Sequence, residues 1–185
     1  MSESTEALIA GVDQDWSVAA HGLTWNCRFT AEHLADCYFG YALLVTGRRV
    51  DSYLPMDLVL DERADAVGII AGLRGTGTIL SSVLTTAPAD LVVWHPYGMA
   101  DLSAVAGMGI VETLVHTWDI TMALGLPFAP DSELCGSTLA RMFPEVHADG
   151  DPWRALLWAT GRIELADRPR RTAWKWTNDL SVSRV

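Results

Sequence analysis

The chain has 185 residues, half of them hydrophobic and eight of them tryptophan, and a formal charge of −10 at pH 7. The length suits one domain, residues 1–185, with a core that needs no disulfide staples. The charge excludes nucleic acid and an anionic membrane surface as partners, because Arg48-Arg49 and Arg168-Pro-Arg-Arg171 are too short to form a basic patch. Cys27, Cys37 and Cys135 follow no motif spacing and fit a reduced, cytoplasmic protein. The start Met-Ser-Glu-Ser-Thr-Glu is acidic where a signal peptide is basic, and no uncharged apolar run reaches the roughly 20 residues of a membrane span. The expectation is a soluble, cytoplasmic protein whose partners are small molecules. Eight tryptophans leave scope for an apolar patch covered in a homodimer.

The first helix is predicted over residues 4–19, capped by Ser4 or Thr5, with Asp13-Gln-Asp-Trp16 already turning. His21-Gly22 breaks the chain and leaves His21 in solvent. A second helix runs from the cap Asn26 to Thr46 and stops at Gly47. Its predicted inward stripe is Phe29, His33, Cys37, Gly40 and Leu44. Asp36 lies about 60° off that stripe, where it either orients His33 or faces the surface. Cys37 reads as a soft metal ligand or as a small buried hydrophobe. Residues 47–61, with Pro55, form a crossover loop. A third helix spans Glu62 to Thr86 despite Gly68, Gly72, Gly75 and Gly77, each costing about 1 kcal/mol in a helix interior. These glycines are expected to let two helices approach closely. Gly75-Thr-Gly77 is not a phosphate loop, since no Lys-Ser/Thr follows and no strand precedes it. Past Pro88, Leu91–Gly98 is a connection whose His95 either overhangs a site between the second and fourth helices or lies on the surface.

The fourth helix, capped by Asp101 or Ser103 and carrying Gly109–Gly125, organises the rest. Glu112 and His116 sit about 40° apart on its wheel, and Asp119 about 20° to the other side of Glu112. The same stripe holds Val105, Met108, Val115 and Ala123, so an imidazole and two carboxylates face the core and each needs a partner. A divalent metal satisfies the Glu–His pair; so does an internal hydrogen bond. Pro127 and Pro130 end the helix, and short helices follow at 131–142 and 151–163 before the aromatic, basic tail Arg168–Trp176; His147 reads as exposed. The fold class expected is all-α, a four-helix bundle with a crossover connection and short C-terminal helices. His33 with Glu112 and His116 has the make-up of an open Zn2+ site. Two histidines and one carboxylate also suit a facial triad for Fe2+. A di-iron centre lacks its second carboxylate-rich helix pair.

Two stretches carry a family resemblance. Trp25-Asn-Cys-Arg-Phe-Thr-Ala-Glu-His33-Leu places a Trp at a helix start eight residues before a histidine. Glu112-Thr-Leu-Val-His116-Thr-Trp118-Asp119-Ile-Thr-Met-Ala123-Leu-Gly125 matches the spacing of Glu-Leu-x-x-His-x-Trp-Asp-Leu-x-x-Ala-x-Gly, and Leu157-Trp-Ala-Thr160-Gly161-Arg162 a later Leu-x-x-x-Thr-Gly-Arg. Over residues 25–162 the chain resembles the DinB-like bundles of mycothiol-dependent maleylpyruvate isomerases and related thiol-dependent S-transferases. The resemblance implies a DinB-like metal-binding bundle with His33, Glu112 and His116 as ligands. It implies mycothiol as co-substrate and a zinc-bound thiolate that attacks a small-molecule electrophile, giving S-transfer or cis–trans isomerisation. Asp119 and Asp36 are then expected to orient the ligand histidines, and Tyr41, Trp94, His95 and Arg162 are candidates to line the substrate pocket, the alternatives being aromatic core packing for Trp94 and Tyr41 and a salt bridge to a carboxylate for Arg162. The stretch before Trp25 lacks the family's Pro-Thr-x-Cys-x-Gly segment, and no counterpart of the isomerases' small C-terminal domain is read here, so metal and bundle transfer better than the maleylpyruvate substrate. The alternatives are another small-molecule biosynthetic enzyme on the same bundle, or a non-catalytic binding or regulatory module.

Overall fold

A computed structural model describes residues 2–148 and 150–182. Among them the elements are α1 (Ser2–Ile9), α2 (Cys27–Thr46), α3 (Ala66–Thr86), strands β1 (Val92–Val93) and β2 (Ala100–Asp101), α4 (Leu102–Ala123), α5 (Ser132–Met142) and α6 (Pro152–Ala159). The fold is all-α, as expected. Five helix starts share one device. Asn26, Asp65, Asp101, Asp131 and Asp151 accept a hydrogen bond from the backbone N–H two or three residues on. Such a cap satisfies an otherwise orphaned donor and contributes about 1 kcal/mol. Asp65 therefore sets the start of α3 four residues later than the expected Glu62, and Asp101 rather than Ser103 caps α4.

The first helix is shorter than the sequence suggests. It ends at Ile9, and Gly11, Val12 and Gln14 follow in successive turns. Gly11 with Asp13 and Asp15 favours turns over helix, and the buried Trp16 fastens the segment by donating from Nε1 to Gly11 O at 2.8 Å. One long helix of the expected four is thus only eight residues.

Helix α4 is buried on every face rather than amphipathic: α1, α2, α3 and α5 all pack against it, and residues 113–121 are buried without a break. The closest approach is on α4 itself. A Cβ on Gly107 would stand 2.3 Å from Met142 Sδ of α5, whereas Gly75 of α3 faces open space.

The inward face of α2 also differs from expectation. Cys27, Ala31, Leu34, Tyr38, Ala42 and Val45 are buried; of the expected stripe Leu44 is fully buried too, whereas Phe29 is 46% exposed and Gly40 has nothing near its Cβ position. His33 and Cys37 sit beside the core face, on the wall of an open cavity. The next side of the same helix holds the crossover segment by its backbone. Arg28 donates to Ala64 O and to Asp61 O, Glu32 accepts from Leu60 N at 3.1 Å, and Asp36 accepts from Leu58 N at 2.7 Å. The three side chains follow an i, i+4, i+8 row.

Helix α3 is long and apolar enough to cross a membrane by length and composition. It carries Arg74, however, and buries Ile69, Ile70, Leu73 and Leu80, with α2 as its main neighbour. Among the tryptophans only Trp25 is exposed, so the described surface has no tryptophan-built patch. The pairing of β1 with β2 was not foreseen; it closes residues 94–99 into a loop that carries His95.

Hydrogen bonds to a charged acceptor are worth about 1.5–3 kcal/mol. Replacing Glu32 and Asp36 by Ala is therefore expected to speed hydrogen exchange at the Leu58 and Leu60 amides by at least about tenfold, read by NMR. Unchanged exchange there would show that the crossover segment is held by other contacts.

Candidate metal centre

His33 and Cys37, one turn apart on α2, face Glu112 and His116, one turn apart on α4, and the donors that all lie within 4.8 Å of one another are those of His33, Cys37 and Glu112, without His116. The meeting point is one atom, Glu112 Oε2, with His116 Nε2 at 3.1 Å and His33 Nε2 at 3.9 Å. Cys37 Sγ lies 3.5 Å from His33 Nε2. The other Glu112 oxygen accepts from the Tyr41 hydroxyl at 3.4 Å. Trp25 lies against the His33 ring with centroids 5.0 Å apart, and the imidazole remains a third exposed.

Behind His116 the charges continue. Its Nδ1 lies 3.0 Å from Asp119 Oδ2, and Asp119, fully buried, also accepts from Arg162 Nη2 at 2.9 Å and Nε at 3.3 Å. Arg162 is aimed there by the turn after α6, where it also donates to Thr160 O at 2.9 Å. The result is a row of alternating sign, Arg162–Asp119–His116–Glu112. Burial, the largest influence on His116, would lower its pKa; its hydrogen bonds to Asp119 and Glu112 outweigh that and hold it up at about 9. Burial likewise pulls Glu112 upward, but the His116 hydrogen bond and the charges of His116, His33 and Arg162 leave it below its ordinary value. His33 is pushed down by burial, against the opposing pull of Glu112. Burial, reinforced by Glu112 and Asp36, pushes the Cys37 thiol far up.

In front of the donors lies a cavity of about 390 Å³ walled by Tyr41, Tyr53, His95, Tyr97 and Trp176, with Asp36 and Asp57 also on its lining. His95 is buried at its wall. Burial lowers its pKa to about 4, and its Nδ1 accepts from Tyr97 N at 3.1 Å, so the neutral ring carries its hydrogen on Nε2. Tyr41 is raised well above the usual phenol range, first by burial and then by Glu112.

The expected site residues therefore divide. His33, Glu112, His116, Tyr41 and His95 come together, and Asp119 sits on His116 as expected of an orienting carboxylate. Three others have different partners. Asp36 bonds the backbone of Leu58 rather than His33. Trp94 is not on the cavity wall; its ring supports Tyr53 edge-on at 5.5 Å, because its N–H ties the chain to Arg49 O at 2.8 Å and turns the side chain behind the wall. Arg162 pairs with Asp119 and, instead of this cavity, lines a neighbouring one that also touches His33, Glu112 and His116. Sequence reasoning missed Tyr53, Tyr97 and Trp176. They come from loops and a tail with no periodic pattern, so nothing local marks them.

The pH dependence of the metal-free protein follows from this pair. A raised histidine contributes stability that is complete below 6.5 and is lost as pH climbs through about 9. A lowered glutamate contributes stability present above 4.5 and lost as pH falls through its lower folded value. With chelator present, the melting temperature is expected to fall between pH 6.5 and 9, and the slope to flatten in His116→Gln. A flat profile in the unsubstituted protein would mean that His116 is neutral. Comparison of the chain with protein-family models, with curated proteins and with solved structures returns no match.

Proposed function

We propose that the chain is a metal-dependent thiol enzyme on a DinB-like bundle, with His33, Glu112 and His116 as ligands of a divalent ion, Zn2+ by its donor set. The bundle consists of α1 to α4, with the segment between α2 and α3 as crossover. The observation that supports the site most strongly is the convergence of both histidine Nε2 atoms on Glu112 Oε2, with Asp119 seated on the remote nitrogen of His116. Ligands about 2.0–2.1 Å from zinc in a tetrahedron stand roughly 3.3 Å apart; the 3.1 Å His116–Glu112 spacing agrees with this, and the 3.9 Å His33–Glu112 spacing must shorten on binding. Carboxylate support of the far nitrogen is the usual companion of a histidine ligand.

Zinc bound there supplies Lewis acidity that favours the thiolate form of a low-molecular-weight thiol, mycothiol by resemblance. The chain's residues supply the rest. Asp119 takes the Nδ1 hydrogen of His116 and fixes which nitrogen faces the cavity. Burial and the neighbouring carboxylates keep the Cys37 thiol protonated in the metal-free protein, and on this reading the reactive sulfur is that of the co-substrate. The aromatic walls around His95 exclude water and hold a small electrophile. The reaction is S-transfer, or cis–trans isomerisation when addition is followed by elimination.

A second reading has its own observation. The row Arg162–Asp119–His116–Glu112 is satisfied by hydrogen bonds with no ion, which suits a metal-free binding module.

Metal analysis of protein purified without added metal separates the two. Near-stoichiometric zinc is expected, falling below about a tenth in His33→Ala and in His116→Ala. Apparent zinc affinity is expected to rise with pH toward 9, because His116 must release its proton to bind. Iron in place of zinc would move the facial triad ahead. No metal in any variant, with the melting temperature unchanged on adding zinc, would sink the enzyme reading. Bound metal with no turnover of mycothiol and electrophilic carbon acceptors would leave the centre standing but refute the thiol chemistry.

A further inference from the structure

Beyond Arg162, on the side away from the aromatic cavity, lies a cleft of about 410 Å³ bounded by His21, Trp118, Arg162, Arg170, Arg171 and Trp174. The chain has 23 acidic and 13 basic residues, yet this lining holds three arginines and no carboxylate. Its shape depends on one turn. Helix α6 closes with Gly161 N–H to Trp158 O at 2.9 Å and Arg162 N–H to Leu157 O at 2.7 Å, a pattern that needs a left-handed residue. Gly161 supplies it, with φ +70°. A Cβ there would stand 2.7 Å from Arg171 O, so only glycine lets the tail lie this close.

The three guanidinium groups are not equivalent. Arg162 is spent on Asp119 and Thr160 O. Arg171 lies 3.4 Å from Glu145 and packs over the Trp158 ring. Arg170 donates from Nε to Gly161 O, and its two terminal nitrogens have no acceptor among the described residues. A guanidinium anchored by Nε and open at its outer edge is prepared for an oxyanion.

The cleft also leads somewhere. It shares Leu23, Arg162 and Trp174 with a cavity of about 310 Å³ that reaches His33, Glu112 and His116. That cavity is lined by Trp176 as well, whose buried indole N–H has no acceptor among the described residues. An unsatisfied buried donor beside a cavity calls for an acceptor that a ligand can bring.

We propose that the arginine cleft binds the oxyanion, carboxylate or phosphate, of a small molecule whose body runs along Trp174 toward the His33–Glu112–His116 cluster. Anion recognition at Arg170 stands apart from the metal reading; only the placement of the ligand's far end rests on it. The test titrates the protein as purified with benzoate, phenyl phosphate and the uncharged benzamide, reading the Trp118 and Trp174 indole N–H signals by NMR. At least one anionic probe is expected to shift both signals and to bind about tenfold more tightly than benzamide. The tighter of the two identifies carboxylate or phosphate as the group read. Arg170→Gln is expected to weaken that probe about tenfold, and Arg170→Lys, which keeps charge but loses the fork, by an intermediate factor. The same binding is expected after dialysis against chelator. Equal binding of benzamide, unchanged affinity in both folded variants, or loss of binding with chelator (the anion then sitting on a metal) would overturn the proposal.

Discussion

The buried row Arg162–Asp119–His116–Glu112 is the constraint on which the rest of the molecule depends. Glu112, His116 and Asp119 lie on the most enclosed helix, where an unpaired charge costs several kcal/mol. Each therefore needs its neighbour, and the neighbours come from distant parts of the chain. Arg162 arrives only because α6 ends in a glycine turn, and His33 only because α2 is packed beside α4. Charge pairing thus explains the placement of the C-terminal helices and the depth of the site together.

Glu112 is the hinge between two states of this row. With His116 protonated, its Oε2 closes a metal-free network that needs nothing more. On the proposed reading, loss of the His116 proton leaves that oxygen and both Nε2 atoms to hold an ion, while Asp119 and Arg162 stay paired. The support behind His116 is then built in advance, and only the front of the row changes on loading. The surroundings agree with that division. The front opens to a cavity of aromatic rings, a neutral His95 and a protonated Cys37; the back opens to arginines.

Much of this was legible in the sequence. Asn26 and Asp101 were readable as caps, whereas Asp65 was not, and the i, i+4, i+7 spacing of Glu112, His116 and Asp119 put three polar groups on one stripe. The Asp119–His116 contact followed from that spacing. What periodicity cannot show is which stripe faces the core when a helix is buried all round, as α4 is, or when the best-looking stripe borders a cavity, as with His33 and Phe29. Asp36 illustrates the limit. A wheel places it near His33, but the backbone donor of Leu58, from a loop with no pattern, captures it. Tyr53, Tyr97 and Trp176 were invisible for the same reason, since their positions depend on tertiary packing of loops and tail. Trp94 stands behind the cavity wall against Tyr53, whereas Arg162 both pairs with Asp119 and lines the adjoining cavity that reaches His33, Glu112 and His116.

The most direct measurement is a crystal structure of zinc-loaded protein with diffraction recorded on both sides of the zinc absorption edge. The account requires an anomalous peak bonded to Nε2 of His33, Nε2 of His116 and the Glu112 carboxylate, with Asp119 still on His116 Nδ1. Electron density showing Glu112 hydrogen-bonded to His116, with no anomalous peak between them and His33, would contradict it.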